Sequence, residues 1–509
     1  MSGLISRAAL RLRNDLAAAT GAALLGYANG GTKMSGQAAL DILFYGVSNV
    51  LNPKFSGGAD PTGQKVSTAA FQAALDASPF LAIPPGTYKI DATLNKLTNQ
   101  AIRICGAGQG ATFVQMWADA DLFNLGSSGA GTGQIVVEDM TLQPRVDMNV
   151  GAAINVRNDS VLPSLRFANL FIGQSSTYEF AVGVRMKNCT EAVFDRVVAY
   201  GLGTGKFIAW DLSSTVAATV PKFFACSVYN AKYGWQITNT VNPGIEGAQF
   251  YGCDAVGVKR GVVFNNPYGP TYLPPQLCWM GGHINASEMN FDLNNMSQVM
   301  IQGALLYNSG SGPFIKLNTC STSTILGNQF NSIGAGTANG VDMYTAADPM
   351  DGGTIANNIF RLNAGGYCVT LDAGRIIRNL KIMGNQRVTG ARMLEVHNGY
   401  LSNTTELTGN TLDADDISES IAVVNGNTLS LTGMRSNFFL VSTAAATVTQ
   451  LIGRRPGETV TLKSDSTTLS LVHGAVANGF VLKAQANFVF GPGKVITLSL
   501  RNGGYWTEV

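Results

Sequence analysis

Four carboxylic acids in the middle of this chain, Glu246, Asp254, Asp211 and Asp292, have the side-chain type and the surroundings for breaking a glycosidic bond. Hydrolysis of that bond needs two carboxyl groups, one to donate a proton and one to act as base or nucleophile. Glu246 and Asp254 come first, because they lie close together (254 − 246 = 8) and neither has an obvious ion-pair partner nearby. β-Elimination at a uronic acid instead needs a base and a group that neutralises the carboxylate. Lys259, Arg260, Tyr268 and His283 are the candidates for those roles. Between Asn265 and Trp279, prolines 267, 270, 274 and 275 stiffen a segment that carries Tyr268 and Tyr272. Rigid aromatic rings suit the flat faces of pyranoses, since little side-chain freedom is lost on binding. Tyr268, Tyr272 and Trp279, with Arg185, Lys259 and Arg260, are therefore the expected substrate contacts. The alternative for this stretch is a surface loop packed on a neighbouring coil or subunit.

Other chemistries find no support. His283, His397 and His473 are the only histidines and none stands at metal-ligand spacing, so no metal and no cofactor is expected. The seven cysteines form no CxxC pair and read as small buried hydrophobes of a protein made in a reducing cytoplasm. No Gly-x-Ser-x-Gly elbow or Gly-Asp-Ser segment points to an esterase. With a net charge of +2 and no basic block, nucleic acid is not an expected partner. Neither a leader-like apolar run at the start nor a longer apolar span predicts contact with a membrane.

A repeat must position the acids. Charged residues make up 13% of the 509 positions, about half the roughly 25% usual for soluble domains, and there are 59 glycines. That balance suits short stacked strands joined by tight turns and suits long helices poorly. Asn328, Asn358, Asn385 and Asn410 recur at intervals of 30, 27 and 25 (358 − 328, 385 − 358, 410 − 385), three of them after a glycine. Gly252, Gly282 and Gly303 extend the same column upstream. A second series of alternating strands starts near Phe207, Gly234, Gly261, Glu288, Pro313 and Tyr367. A period of two within strands and of about 27 between repeats predicts an all-β parallel β-helix with about three strands per coil. From about residue 135 to about 432 there is room for roughly eleven coils and a rod of about 50 Å. The asparagine amides are expected to bond the bends and their own copies above and below, a structural role. Arg185, Asp211, Thr238, Asn265, Asp292 and Asn318 are read as one outward line. Asp211 and Asp292, three coils or roughly 14 Å apart, are too distant to act alone. Each would need Glu246, Glu179 or a carboxylate from a neighbouring subunit.

The repeat needs a closed end. Ser67 or Thr68 is placed to cap a helix whose Phe71, Ala74 and Leu75 face one side and plug the first coil, and Pro84-Pro-Gly86 turns into the first strand. The ordered set Gly58-Ala-Asp-Pro-Thr-Gly63, Ser67-Thr-Ala-Ala-Phe-Gln-Ala-Ala-Leu-Asp76 and Ile83-Pro-Pro-Gly-Thr-Tyr88 resembles the opening signature of bacteriophage tailspikes with a pectate-lyase-like β-helix. Leu16-Ala-Ala-Ala-Thr-Gly-Ala-Ala-Leu-Leu-Gly-Tyr27 resembles the neck that precedes it, although Asn52-Pro-Lys-Phe-Ser-Gly57 replaces the usual aspartate-phenylalanine-glycine step. The resemblance implies a right-handed helix, a homotrimer and a place in the virion, attached to the phage tail or another tail protein through the N-terminal segment. It also implies binding and depolymerisation of a bacterial surface polysaccharide: capsule, O-antigen or exopolysaccharide.

The expected division is a neck at 1–50, an opening with its capping helix at 51–105, the β-helix at 106–434, and a β-sandwich at 435–509 for trimerisation or glycan contact. Trp506 is read as core of that last unit, with Tyr505 beside it. An endo-glycosidase with paired carboxylates is the leading expectation. A lyase on the same scaffold and a noncatalytic receptor-binding fibre stay open.

Overall fold

The computed structural model describes residues 47–509 apart from short breaks, among them 127–132, 241–243, 268–272, 346–349, 398–405 and 411–419, together with Ala28–Asn29 and Thr32–Lys33. The expected neck lies almost wholly outside the described residues.

A residue at positive φ turns an extended chain within one position, which glycine does without strain and asparagine does readily. One such corner recurs down the molecule, from Asp139 and Asn169 through Gly252, Gly281, Gly303 and Gly327 to Asn357 and Gly384, with φ between 50° and 70°. Gly281, not Gly282, holds the place in this column, since Met280 pairs with Gln302 and Tyr251 with Met280. Each corner turns a second-face strand, such as Ala248–Tyr251, into a third-face strand that then leads back to a first-face strand. Successive coils pair in parallel on all three faces: Val182–Cys189 with Ile208–Ser214 on the first, Ala192–Asp195 with Lys222–Phe224 on the second, Val198–Tyr200 with Ser227–Tyr229 on the third. The result is an all-β parallel solenoid of about 13 turns, 58% strand and 3% helix.

Period-two alternation puts every second side chain inside, and the coil period stacks like on like. Phe167, Phe194, Phe223 and Phe250 form a buried column with centroids 4.9, 4.6 and 4.8 Å apart. On the first face Trp210 and Trp235 stack at 5.0 Å and 5°. Beside the positive-φ corner runs the expected asparagine ladder. Asn358 Nδ2 donates to Ile325 O and to Asn385 Oδ1, both at 2.9 Å, while its Oδ1 accepts from the Asn328 backbone N–H at 2.9 Å and from Asn328 Nδ2 at 3.0 Å. A second run of buried polar residues, Asn188, Ser214, Asn239 and Asn266, closes the far end of the first face.

The helix spans Thr68–Ala77 and buries Ala70, Phe71, Ala74 and Leu75 against the first coils, with Phe71 edge-on to Tyr88 at 5.2 Å. Ser67 stands at its N-cap position without the expected capping bond; its hydroxyl accepts the Asp60 N–H at 3.0 Å instead. Thr68 donates its hydroxyl to Asp91 at 2.6 Å. Asp60 in turn accepts from the Thr62 hydroxyl, the Thr62 N–H and the Lys65 N–H, and these bonds hold its carboxyl down at about 2. The Gly-Ala-Asp-Pro-Thr-Gly segment is thus a turn built around one carboxylate.

From Leu429 to Trp506 a second, separate core begins. Its strands pair in parallel between Ser420–Val423, Asn437–Val441 and Thr459–Lys463, and antiparallel from Thr459–Lys463 to Val495–Leu500 and Trp506–Glu508. This mixed pairing differs from the two antiparallel sheets of a sandwich. Trp506 is fully buried with its indole N–H on Leu451 O at 3.0 Å, as a core residue.

Candidate functional site

A strand with one face inside leaves its alternate residues outside, and stacking places them one rung apart, about 4.8 Å. On the first face this gives the outward column Arg185, Asp211, Gln236, Val263, Asp292, Lys316 and Asp342. Thr238, Asn265 and Asn318 are not in it; they form the next column, two residues further along each strand, with Asn294 between Asn265 and Asn318. Residues i and i+2 both point outward, so spacing alone left the two columns undistinguished.

Asp292 is the most constrained acid of the column. Arg260 Nη1 donates to Asp292 Oδ2 at 2.6 Å and Arg260 Nε donates to Glu288 at 2.9 Å. Asn294 Nδ2 donates to the other oxygen of Asp292 at 3.3 Å and is itself bonded by Asn318 at 2.9 Å. The carboxylate lies at the floor of the face, with 7% of the residue exposed. One rung up stands Lys316 and one further Asp342, which places the two acids roughly 9–10 Å apart along the axis. Asp342 was missed because Gly334, Gly336 and Gly340 give its surroundings the composition of a loop, whereas it lies on the strand Val341–Thr345.

Three rungs below Asp292, Asp211 lies 3.9 Å from Arg185 Nε and accepts a 3.4 Å bond from Gln236. Burial pushes its carboxyl above the ordinary range, and Arg185 opposes that only in part. A raised folded-state value means the charged form weakens folding once pH exceeds it. Asp211→Asn is therefore expected to raise the melting temperature at pH 7, by a margin that shrinks as pH falls through the shifted value toward 3.8. Thermal melts of both proteins across that range test this, and a lower melting temperature for the variant at pH 7 counts against it.

The leading pair of the sequence reading is not brought together. Glu246 ends the short strand Ile245–Glu246 at the corner leading into the second face, whereas Asp254 opens the third face beyond the strand Ala248–Tyr251. Asp254 sits one rung from His283, burial raises its carboxyl, and the histidine opposes the shift. His283 meets Tyr307 edge-on at 5.2 Å. Glu179 is buried and spent on structure, accepting the Leu202 N–H at 2.8 Å and the Thr204 hydroxyl. Arg260 and Arg185, expected to contact substrate, both reach the first-face acids, while Lys259 is exposed beside Gly205 at the corner before that face. Trp279 is not a substrate contact: it is fully buried, 5.3 Å from Phe250 and 5.5 Å from Trp235. Tyr268 and Tyr272 lie outside the described residues.

No family model matches the chain, and no curated protein matches it. Among solved structures it is similar to the A-module of mannuronan C-5 epimerase AlgE6 of Azotobacter vinelandii, at 16% identity and a TM-score of 0.48, over 70% of this chain and 99% of that one. It is similar to the N-terminal fragment of bacteriophage phi29 gene product 12, at 13% identity and 0.45, over 82% of each chain. Tailspike protein 3 of bacteriophage CBA120 matches at 15% identity and 0.43, over 80% of this chain and 67% of that one.

Proposed function

We propose that this chain is a bacteriophage tailspike that grips a bacterial surface polysaccharide and cuts it internally by hydrolysis at Asp292 and Asp342. The observation that carries the reading is the first-face column. Two acids stand two rungs apart on a rigid sheet with Lys316 between them, and one of them is held by Arg260 and Asn294. Inverting glycosidases separate their carboxyl groups by about 6.5–9.5 Å, leaving room for a water on the far side of the sugar ring. In the proposed step Asp342 gives its proton to the glycosidic oxygen as the bond to the anomeric carbon breaks. Water then attacks that carbon, and its proton passes to Asp292. Arg185, Asp211 and Gln236, further down the same face, would hold sugar units on one side of the cut. A chain laid along the rod axis meets all of these groups in order, which suits internal cleavage of a polymer.

The phage setting is supported by the ordered opening segment at 58–88, which folds as a turn around Asp60, a plugging helix and a first strand. Homotrimer formation and attachment to the tail through the N-terminal segment belong to the same proposal.

Purified capsular polysaccharides, O-polysaccharides and exopolysaccharides incubated with the full chain test it. Release of new reducing ends, with the anomeric configuration inverted in the first product, is the expected result. Release of unsaturated uronate ends would replace hydrolysis by β-elimination. Binding with no cleavage of any substrate would leave a receptor-binding fibre.

A further inference from the structure

One well-formed cavity lies away from the first face. It occupies about 710 Å³ on the second, where it is lined by Arg166, Glu191, Val193, Asp195, Lys222 and Phe224. A neighbouring hollow of about 370 Å³ shares Arg166 and Gln134 with it and extends past Arg103 to Phe80. Strand pairing puts Phe80, Arg103, Val136, Arg166, Val193 and Lys222 on successive rungs, so the two hollows form one groove. Five steps of about 4.8 Å make it roughly 24 Å long.

The groove's contents are unusual for a surface with only structural duties. Two charged pairs border the groove, Arg103 with Glu138 at 2.5 Å and Arg196 with Asp195 at 3.3 Å. Arg166, Glu191 and Lys222 have no ion pair and no side-chain hydrogen bond among the described residues. Free donors and a free acceptor thus converge on one hollow. Both ends carry rings in solvent: Phe80 is 38% exposed, and Phe224 is 37% exposed and stacked face-to-face on Tyr251 at 5.2 Å and 8°. Glu191 is held at φ 49°, a left-handed conformation that few non-glycine residues adopt.

We infer that this second-face groove is a separate binding site for an extended polysaccharide chain, distinct from the first-face acids. Pyranose rings would stack on Phe80 and on the Phe224–Tyr251 pair, and the hydroxyls or carboxylates between them would bond Arg166, Lys222 and Glu191. Flat exposed rings at a groove's ends with mixed-sign hydrogen-bonding groups along its floor match a polyhydroxylated chain several units long. Docking of a second copy would instead favour a continuous apolar centre. The site would hold the polymer while the first face cuts it, so the inference rests on the polysaccharide reading above.

The probes are a panel of purified capsular and O-antigen polysaccharides, with the full chain carrying Asp292→Asn to prevent turnover. The variant is expected to retain at least one polymer. Adding Lys222→Ala and Phe224→Ala should weaken that binding on the order of tenfold, the equivalent of about one aromatic contact. In the chain with Asp292 intact, the same two changes should leave cleavage of short oligosaccharides unchanged and raise KM for the long polymer alone. Polymer affinity unchanged within twofold would overturn the groove while leaving the first-face reading standing. Weakened binding accompanied by a changed sedimentation coefficient would overturn it in favour of an interface between copies. Retention of no polymer by the Asp292→Asn chain would overturn both readings together.

Discussion

Replacing Asp292 by Asn should lower polysaccharide turnover on the order of a hundred- to ten-thousandfold, the usual contribution of a positioned acid or base. The melting temperature should move by no more than a few degrees. Asparagine keeps the shape of the side chain and still accepts a bond from Arg260, which also retains its 2.9 Å bond to Glu288. What is lost is the group that takes the proton of water. The fall should appear in kcat more than in KM, because the interaction is made in the transition state. Asp342→Asn should cost a similar factor, and the double variant little more than either alone, since both acids serve one step. Initial rates of reducing-end release, with melting followed by circular dichroism, give both numbers. Turnover within threefold of wild type for Asp292→Asn would remove the first face from the mechanism.

Asn358→Ala is expected to destabilise the solenoid by roughly 3 kcal/mol or more while leaving activity per folded molecule unchanged. The side chain is fully buried and takes part in four hydrogen bonds, to Ile325, to Asn385 and twice to Asn328. Alanine leaves the partner N–H, amide and carbonyl groups buried without a replacement, and each such group costs about 1–3 kcal/mol. The loss falls in the middle of the ladder, so the bonds above and below lose their alignment too. Denaturant unfolding at equilibrium measures it. A change under 1 kcal/mol would mean that water or a backbone shift satisfies the freed groups.

These two residues mark how far the sequence could be read. The asparagine ladder was legible because its requirement is local and chemical: a corner at positive φ, then an inward amide, repeated at the coil period. The outward acids have no such signature. Asp292 was visible as an acid in the right strand series, but its column partners depend on register, and a slip of two residues exchanges one outward line for the next. Asp342 was hidden by its flanks, since Gly334, Gly336 and Gly340 make its strand resemble a loop. Glu246 and Asp254 looked close because chain distance was read as spatial distance across a corner where the chain changes face. Trp279 was misplaced by the proline-rich stretch before it. Its own signal lay in the stack Phe167, Phe194, Phe223, Phe250 and Trp279, whose intervals 27, 29, 27 and 29 (194 − 167, 223 − 194, 250 − 223, 279 − 250) continue one inward column. The second-face groove needs three-dimensional pairing to exist at all, as Arg103 and Lys222 are 222 − 103 = 119 positions apart.

The plug formed by Thr68–Ala77 also bears on how such a chain reaches its shape. Every rung of the solenoid bonds to a partner only one coil away, as Arg185 to Asp211 and Asp292 to Lys316 do. Among the described residues, the helix precedes nearly all of the coils and offers them a surface formed by local contacts alone. A chain leaving the ribosome can therefore wind onto it one coil at a time, each new coil finding its template already in place and never waiting for a distant segment.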